Sequence, residues 1–291
     1  SHFTTLSQDH LDFHSGLEDY FSAKKLLFRH SYNPGIRWAL LNIDDPFGQR
    51  LAGEVDGEVV TFGLTEEACI HPLEYTTSSE GLEANLGFFG KTLRIRSPLV
   101  GRHNLYNLMA AAGACSLLGV QDGTIQTALE ELRNVPGRFE TVSAEVPFSI
   151  IIDFAHTPDA LKNAIELARH VAERRVICLF GCGGDRDRGK RPQMGAIACR
   201  GADVVVVTSD NPRSEDPQEI IDEILPGIPD DETELEVIPD RKAAIRRALE
   251  IAQPGDLVLL AGKGHETYQE IDGKKFPFDE REIVRKVLCS N

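Results

Sequence analysis

The amino-acid sequence predicts an α/β protein of two domains, the second of which is built on a doubly wound, mostly parallel sheet. Strand and helix patterns alternate from about residue 148 to the end of the chain. Three of the predicted strands, at Val176–Phe180, Val204–Val207 and Leu257–Leu260, are uninterrupted apolar runs, which is typical of strands covered by helices on both faces. The loops after the strands are polar and rich in glycine, as in folds that bind ligands at the carboxyl ends of their strands.

Length and composition narrow the class of protein. The chain has 291 residues, of which 41% are hydrophobic and 26% charged, so it can form two globular domains. No apolar run approaches the roughly 20 residues of a membrane span, and the first residues lack the pattern of an export signal, so a soluble cytoplasmic chain without a membrane partner is expected. The net charge of −15 argues against a nucleic-acid partner but leaves room for anionic small molecules. The six cysteines lack CxxC spacing and indicate thiols in a reducing compartment.

The first half of the chain shows helical and β-rich patterns in turn. The predicted segments are a helix within Leu17–Phe28, a β-rich stretch over Arg37–Leu99, and helices at Asn104–Leu118 and Asp122–Leu132. Gly119 is expected to end the second of these helices. The segment Val135–Arg138 then breaks the helical pattern, and we place the domain boundary just after it, which predicts domains of residues 1–140 and 141–291.

The second domain is predicted from alternating patterns of period two and period 3.6. In chain order its strands and helices are Phe148–Asp153, Ala160–Ala172, Arg175–Phe180, Met194–Arg200, Val204–Thr208, Pro217–Leu225, Glu234–Val237, Arg241–Ala252, Leu257–Leu260 and Glu280–Leu288. Four loops follow strands: Asp153–Pro158, Gly181–Pro192, Ser209–Arg213 and Ala261–His265. Each loop alone is compatible with an ordinary turn, whereas four of them at successive strand ends favour a ligand site.

Two polar clusters lie in the first half. The His- and Asp-rich segment Ser7–His14 precedes Lys24, and it could hold a metal ion or be a polar loop whose aspartate caps the helix. Lys24 alone indicates no function, because helical lysines are usually solvated. Asn104 and Asn107 lie one helical turn apart, so their amides could bind the donor and acceptor edge of a purine. Asn104 could also be the N-cap of its helix, a role compatible with the first.

Two stretches imitate the phosphate-binding motif GxxxxGK[ST] and are rejected. Asn85–Thr92 lacks the first glycine and continues with the alternation of a strand instead of a helix. Gly184–Arg191 has both glycines and a lysine, but no hydroxyl residue follows that lysine. The sequence therefore contains no P-loop.

The loops predicted at the strand ends contain charged groups suited to chemistry. Asp153 and His156 follow one strand, and the flexible, strongly cationic segment Gly181–Arg191 is suited to a carboxylate or phosphate. The segments Ser209–Arg213 and Gly262–Glu266 complete the predicted rim.

Together these motifs resemble the Mur ligase family, in particular its muramyl-tripeptide synthetase (MurE) branch. The matching strings are SQDHLDFH, YFSAK, GRHNLYN, PGRFE, DFAHTPDAL, FGCGGDRDRGKRP, TSDNPRSEDP and AGKGHETYQ. They extend over nearly the whole chain in the family's order, and DNPR together with GKGHE is the most specific pair.

The resemblance implies a site for ATP and Mg²⁺. Lys24 is implied to react with CO₂ to form a carbamate, which would ligate Mg²⁺ together with His10. The implied nucleotide-binding residues are His103, Asn104 and Asn107 at the adenine, Arg138 near the phosphates and Asp153 at the ribose. The implied catalytic residues are Lys24, Arg138 and His156, the last of which corresponds to a position near the reacting groups.

The resemblance also implies a pocket for an incoming amino acid. Its implied residues are Arg186, Asp210, Asn211, Pro212, Arg213, Gly262 and Glu266. Arg213 and Arg186 would bind carboxylates and Glu266 the distal ammonium. An arginine at position 213 favours meso-diaminopimelate over lysine, because only diaminopimelate has a carboxylate beside its distal amine. Alternatively, Arg213 would be a loop residue paired with Glu215 or Asp216.

The implied reaction is ATP-dependent amide formation in peptidoglycan precursor synthesis. The D-Glu carboxylate of UDP-MurNAc-L-Ala-D-Glu would be converted to an acyl phosphate and attacked by the amine of meso-diaminopimelate. Residues 1–140 would be the latter part of the family's central ATPase domain, and residues 141–291 its complete Rossmann-like C-terminal domain. Because the family's UDP-binding domain and P-loop precede this segment, the chain is expected to be a fragment, inactive alone and monomeric.

Three alternatives remain at this point. The chain could belong to a lysine-adding ligase of the same branch, to a relative of folylpolyglutamate synthase, or to a non-catalytic Rossmann-like module that binds an amino acid or nucleotide. DNPR and GKGHE argue against the second alternative, and the third would leave His10 and Lys24 without a role.

Overall fold

The computed structural model describes residues 1–6, 15–78, 81–132, 135–229 and 233–289. It divides the chain into two compact units, residues 1–133 and 134–291. The division falls a few residues before the predicted boundary at 140/141. The segment around Gly137 belongs to the second unit, because the Gly137 carbonyl accepts a hydrogen bond of 2.8 Å from the amide of Phe154. No helix among the described residues is long and apolar enough to cross a membrane.

The first unit contains a sheet whose described strands follow one another in chain order. These strands are β1 (His2–Phe3), β2 (Trp38–Asn42), β3 (Glu58–Phe62), β4 (Ile70–Ser78), β5 (Gly81–Phe88) and β6 (Lys91–Ser97). The pairs β1–β2, β2–β3 and β3–β4 are parallel, whereas β4–β5 and β5–β6 are antiparallel. The helices are α1 (Leu17–Lys25), α2 (Pro46–Ala52), α3 (Arg102–Leu117) and α4 (Asp122–Glu130).

Strand β2 of this first sheet is buried on both faces. Alternate residues of β2 enter different apolar clusters, since successive side chains of a strand point to opposite faces. Leu40 belongs to the cluster that includes Leu105 of α3, whereas Leu41 belongs to the one that includes Phe21 of α1. The first unit is therefore a layered α/β structure, with the helices on either side of the sheet.

Helix α2 lies within the stretch that was predicted as β-rich. Asp45 caps it: the carboxylate accepts hydrogen bonds from the amides of Phe47 at 2.8 Å and Gly48 at 3.2 Å. Pro46 occupies the first turn, where a missing amide hydrogen costs nothing. The same aspartate also accepts a bond of 3.0 Å from the amide of Leu6, so its position is fixed by tertiary contacts that a local pattern does not reveal.

The rejection of a P-loop at Asn85–Thr92 agrees with the structure. Phe89 and Gly90 have φ values of 51° and 79° and form the turn of the hairpin that joins β5 to β6. Lys91 and Thr92 therefore begin a strand and not a helix.

The second unit has the predicted doubly wound sheet, and the predicted fold class is confirmed. Its strands are β7 (Glu140–Thr141), β8 (Ser149–Asp153), β9 (Val176–Phe180), β10 (Val204–Val207), β11 (Glu234–Val237) and β12 (Leu257–Ala261), in the order β11-β10-β9-β12-β8-β7. All pairs are parallel except β7 with β8. A separate antiparallel hairpin, β13 (Tyr268–Ile271) and β14 (Lys274–Pro277), was not predicted.

The helices of the second unit follow the strands as expected. They are α5 (Pro158–Val171), α6 (Lys190–Gly201), α7 (Pro217–Ile224), α8 (Arg241–Ile251) and α9 (Glu280–Cys289). Helix α6 begins at Lys190 and not at Met194, because Pro192 lies in its first turn, where proline is tolerated. Ile177 and Leu179 of β9 pack with Ala244 of α8 and Val284 of α9, while α5 and α6 contact the sheet strands as well.

Two glycines of the second unit allow three segments to meet. Gly137 has a φ of +69°, and a Cβ there would lie 2.1 Å from the backbone nitrogen of His265. Gly264 has a φ of +53°, and its Cβ would lie 2.6 Å from the Cβ of Phe154. Only residues without a side chain permit this approach.

We predict that Gly137→Ala destabilises the second unit by roughly 3 kcal/mol, because backbone atoms must separate to admit the new methyl group. Gly273→Ala is the matched control: its φ is +70°, but no atom lies within 4 Å of the added Cβ. It should cost only about 1 kcal/mol, for the left-handed conformation. Scanning calorimetry measures both changes, and equal unfolding temperatures would contradict the importance of the close approach.

Candidate active site

Lys24 lies on α1 in the first unit. It is half-buried, and its Nζ lies 4.7 Å from the ring centroid of Tyr20. His10, the other predicted magnesium ligand, lies outside the described residues. Within the described parts of the chain, no group of three or more His, Cys, Asp or Glu side chains could hold a metal ion.

The two predicted adenine-binding amides are connected by hydrogen bonds. Asn104 Nδ2 donates to the carbonyl of Val100 at 2.8 Å, and Asn107 Nδ2 donates to Asn104 Oδ1 at 3.2 Å. Helix α3 begins at Arg102 and its N-cap is Gly101, so the proposed capping role of Asn104 is wrong. His103 is exposed in the same helical turn. The structure therefore brings these side chains together at the start of α3.

A cleft near this helix start was not predicted. Its volume is about 430 Å³, and it is lined by Ile43, Asp44, Gln49, Leu64, Thr65, Glu67 and Arg102. Asp44 Oδ2 accepts hydrogen bonds of 2.7 Å from the hydroxyl of Tyr106 and from the amide of Leu64. Burial raises the pKa of Tyr106, and the bond to Asp44 raises it further. The available sequence signal for this cleft was the acidic pair Asp44 and Asp45, which follows the strand Trp38–Asn42.

In the second unit, Asp153 ends β8 and organises the loop that follows. Its Oδ1 accepts a bond of 2.8 Å from the amide of Ala155, and its Oδ2 accepts one of 2.7 Å from the amide of Phe139. The second bond holds the segment that contains Arg138, whose exposed guanidinium lies 5.0 Å from the ring centroid of Phe154. Asp153 therefore fixes two of the predicted segments at once.

His156 lies against the same aromatic ring. Its ring centroid is 4.6 Å from that of Phe154, and its Nδ1 is 3.0 Å from the Phe154 carbonyl oxygen. Lys190 Nζ donates to the backbone carbonyl of His156 at 3.0 Å. The structure thus places Arg138 and His156 next to the same residue, Phe154, which the sequence analysis did not single out.

The cationic loop Gly181–Pro192 is anchored by a residue that was missed. Arg191 is fully buried, and its guanidinium donates to Glu215 at 2.7 and 2.9 Å and to Glu223 at 2.8 Å. The hydrogen bond from Arg191 lowers the pKa of Glu215 to about 2. Arg186, by contrast, is exposed. The predicted helix begins at Met194, after Pro192, and so Arg191 was placed in the loop instead of in α6.

The DNPR segment follows β10 and is largely buried. Asn211 is 3% exposed; its Nδ2 donates to Glu266 Oε2 at 2.9 Å, and its backbone carbonyl accepts from the amide of Gly184 at 2.9 Å. Pro212 is buried beside it. Asp210 Oδ2 is buried without a hydrogen-bond partner among the described residues. This segment is therefore held by the loops after β9 and β12.

Arg213 has the left-handed φ of 52° and two side-chain contacts. Its Nη1 donates to the carbonyl of Gly184 at 2.7 Å, and its Nε lies 3.5 Å from Glu270 Oε2. The alternative pairing with Glu215 or Asp216 is replaced by a pairing with Glu270, because the hairpin β13–β14 brings that carboxylate next to the loop. The guanidinium is partly exposed, at 22%, and so remains accessible to a ligand.

The segment after β12 meets the DNPR segment. Lys263 is fully buried, and its Nζ donates to Asn211 Oδ1 at 3.0 Å and to Glu266 Oε2 at 3.2 Å. Gly262 has a φ of +117°, and a Cβ there would lie 2.6 Å from Asp210 Oδ2. Sequence reasoning named Gly262 and Glu266 but not the lysine between them, because lysine is rarely buried.

A third buried cation, Arg241 at the start of α8, was also missed. It donates to Glu280 Oε1 at 2.9 Å, to the carbonyl of Ala261 at 2.8 Å and to the carbonyl of Ser209 at 3.3 Å. These carbonyls stand where the loops after β12 and β10 begin. Its position in an ordinary amphipathic helix carried no signal of this role.

Two family models match the chain in sequence. Residues 1–115 match the Mur ligase middle domain, and residues 137–264 match the Mur ligase glutamate ligase domain. The chain belongs to the Mur ligase family. The second match begins at Gly137. It therefore places the segment around Gly137 in the second unit, in agreement with the hydrogen bond between Phe154 and Gly137.

Individual relatives agree with the family. The UDP-N-acetylmuramoyl-L-alanyl-D-glutamate–2,6-diaminopimelate ligase of Solibacter usitatus (strain Ellin6076) is 47% identical over 286 residues, which is 98% of this chain and 58% of that one. A solved structure of a ligase with the same name is 35% identical over 99% of this chain and 60% of that one, with a TM-score of 0.61. The folylpolyglutamate synthase of Mycobacterium tuberculosis has a TM-score of 0.72 over 90% of this chain and 60% of that one; at 18% identity this likeness shows the fold alone. This Mur ligase chain spans about 58% of the length of the curated relatives it matches.

We predict that Glu215→Gln lowers the free energy of unfolding by about 3 kcal/mol at neutral pH, because the folded-state pKa of Glu215 is lowered from 4.5 to about 2. The carboxylate of Glu215 contributes this stability above pH 4.5, and the contribution is lost as the pH falls toward 2. The variant should therefore approach the stability of the parent in that window. Urea unfolding at pH 7 and pH 3 measures it, with the exposed Glu145→Gln as control; the same destabilisation at both pH values would contradict the assignment.

Proposed function

We propose that this chain is the nucleotide- and amino-acid-binding part of an ATP-dependent ligase that adds meso-diaminopimelate to UDP-MurNAc-L-Ala-D-Glu. The observation that carries the proposal is a hydrogen bond of 2.9 Å from Asn211, two residues before Arg213, to Glu266. A guanidinium and a carboxylate on two linked loops suit an amino acid that carries both a carboxylate and an ammonium at its distal end. The names of the relatives that the chain resembles support the same activity.

The remaining residues have roles that follow from their chemistry. Arg213 would bind the distal carboxylate, with Arg186 as a second, exposed cation for the other carboxylate. Glu266 would accept from the distal ammonium, and Asp210 and Asn211 would complete the polar wall with Pro212 and Gly262 as rigid and close-fitting backbone. His156, held against Phe154, would lie near the reacting groups.

The residues at the start of α3 fit a purine. Asn107 uses one N–H to bond Asn104; among the described residues its amide oxygen and second N–H have no partner, and these are the acceptor and donor that an adenine edge requires. We assign His103, Asn104 and Asn107 to the adenine of ATP, Asp153 to the ribose and Arg138 to the phosphates. ATP would supply the phosphoryl group that activates the D-Glu carboxylate, and Arg138 would offset phosphate charge.

Magnesium requires donors beyond the described carboxylates and imidazoles. We propose that Lys24, as a carbamate formed with CO₂, and His10 supply them, because a carbamate replaces an ammonium by an anionic oxygen ligand that suits Mg²⁺. The protein would act as a monomer on small-molecule substrates.

We predict that the full-length protein that contains this chain has a higher kcat/KM for meso-diaminopimelate than for lysine. Arg213→Ala should lower kcat/KM for diaminopimelate by about thirtyfold or more, since loss of a charge partner costs on the order of 2–5 kcal/mol, and affect lysine much less. The exposed Arg246→Ala on α8 is the matched control. A parent enzyme that prefers lysine would refute the proposed substrate.

We predict that Lys24→Ala removes most of the activity and that added short-chain carboxylates partly restore it, because they can occupy the vacated anion position. Lys25→Ala, on the same helix, is the control; Lys25 pairs with Glu54 at 2.7 Å and has no part in the proposed site. Activity of Lys24→Ala without CO₂ dependence would exclude the carbamate.

A further inference from the structure

The loops after β10 and β12 each contribute a cation to an ion pair. Lys263 Nζ lies 3.2 Å from Glu266 Oε2, and Arg213 Nε lies 3.5 Å from Glu270 Oε2. Arg213 and Glu266 are the residues proposed to bind the incoming amino acid, whereas Lys263 and Glu270 have no assigned role. Arg213 and Glu266 therefore each already have an opposite charge beside them.

The Lys263–Glu266 pair is buried on the lysine side only. Lys263 is 0% exposed and Glu266 is 19% exposed, so the carboxylate reaches the surface of the site while the ammonium cannot. Both side chains bond Asn211, which donates to Glu266 Oε2 at 2.9 Å and accepts from Lys263 at 3.0 Å. No described residue donates to Glu266 Oε1. A ligand ammonium would therefore contact the carboxylate of Glu266, whose negative charge is balanced by the buried ammonium of Lys263.

The Arg213–Glu270 pair is attached to the same network. The amide of Glu270 donates to Asn211 Oδ1 at 3.0 Å, and the carbonyl of Glu270 accepts from the amide of Arg213 at 3.0 Å. Glu270 is 26% exposed on β13. The two pairs thus meet at Asn211 and form one set of four charges with a sum of zero.

We propose that Lys263 and Glu270 set the amino-acid specificity of this site by balancing the charges of Glu266 and Arg213, an inference that rests on the proposed function. A neutral set of alternating charges matches the distal end of diaminopimelate, where an ammonium and a carboxylate also sum to zero. It disfavours lysine, whose distal end is a bare cation. Lys263 and Glu270 are positioning residues with an electrostatic effect on selectivity, and they need not touch the substrate.

The effect is large enough to measure. At the effective dielectric of protein sites, removal of one unit charge within several ångströms of a bound ion changes its affinity by roughly tenfold or more. The two charges act in opposite directions. Loss of Lys263 leaves the set negative and favours the lysine cation, whereas loss of Glu270 leaves it positive and favours the carboxylate-bearing diaminopimelate.

The experiment measures the ratio of kcat/KM for meso-diaminopimelate to that for L-lysine in the full-length protein. Lys263→Met should lower the ratio about tenfold, and Glu270→Gln should raise it by a similar factor. Lys242→Met and Glu145→Gln, at exposed positions of the second unit, are the matched charge controls and should leave the ratio unchanged. Scanning calorimetry establishes that each variant is folded.

Opposite shifts of the ratio support the proposal, because a loss of loop structure would lower the use of both amino acids. If Lys263→Met does not fold, Glu270→Gln carries the test alone, since that side chain is partly exposed. Equal losses for both amino acids, or shifts of the same sign, overturn the charge-balance role while the parent's preference for diaminopimelate stands. A parent that uses neither amino acid overturns the proposed function and this inference with it.

Discussion

The loops of the candidate site in the second unit depend on the buried guanidinium of Arg241. It donates to the carbonyls of Ser209 and Ala261, which stand at the carboxyl ends of β10 and β12, on either side of β9 in the sheet. Parallel strands leave their last carbonyls without a ladder partner at this edge, and buried carbonyls need donors. The five donors of a planar guanidinium, fixed in one fork, can serve two strand ends and a carboxylate at once.

The charge of Arg241 is balanced from another helix. Glu280, in the first turn of α9, is also fully buried, and its carboxylate accepts a hydrogen bond of 2.9 Å from Arg241. This contact connects α8, α9 and both strand ends. Buried ion pairs add little net stability, but removal of one partner leaves an uncompensated charge and is costly. The Arg241–Glu280 pair therefore fixes the positions of the strand ends more than it adds to the stability of the fold. Asp210 Oδ2, without a hydrogen-bond partner among the described residues and 4.0 Å from Arg241, is the place where this network meets the candidate site.

Other loops of the candidate site are also held by a buried cation paired with a carboxylate. Arg191 with Glu215 holds the loop after β9, and Lys263 with Glu266 holds the loop after β12. Each loop thus has a cation inside the protein and a carboxylate nearer to the surface. A ligase that joins two substrates gains rate from fixed orientation, and loops anchored in this way lose little freedom when a substrate binds.

The sequence by itself determined the class of fold, the family and the loops that form the candidate site. Apolar runs such as Val204–Val207 and the loops after them are local features of the sequence. They are sufficient to predict the alternation of strands β8 to β12 with helices along the chain. The motifs also named Asn211, Arg213 and Glu266 without any structure. Their resemblance to known motifs, and not their periodicity, supplied that information.

Only the tertiary structure decided which charges meet. Lys263, Arg191 and Arg241 have the appearance of ordinary polar residues along the chain, since Asn211, Glu215 and Glu280, to which they donate, lie 52, 24 and 39 positions away. The partner of Arg213 is Glu270 and not the nearby Glu215, because an unpredicted hairpin delivers it. Ion pairing depends on distances of a few ångströms between side chains that the sheet brings together, and the pattern of residues along one strand or helix contains no record of those distances.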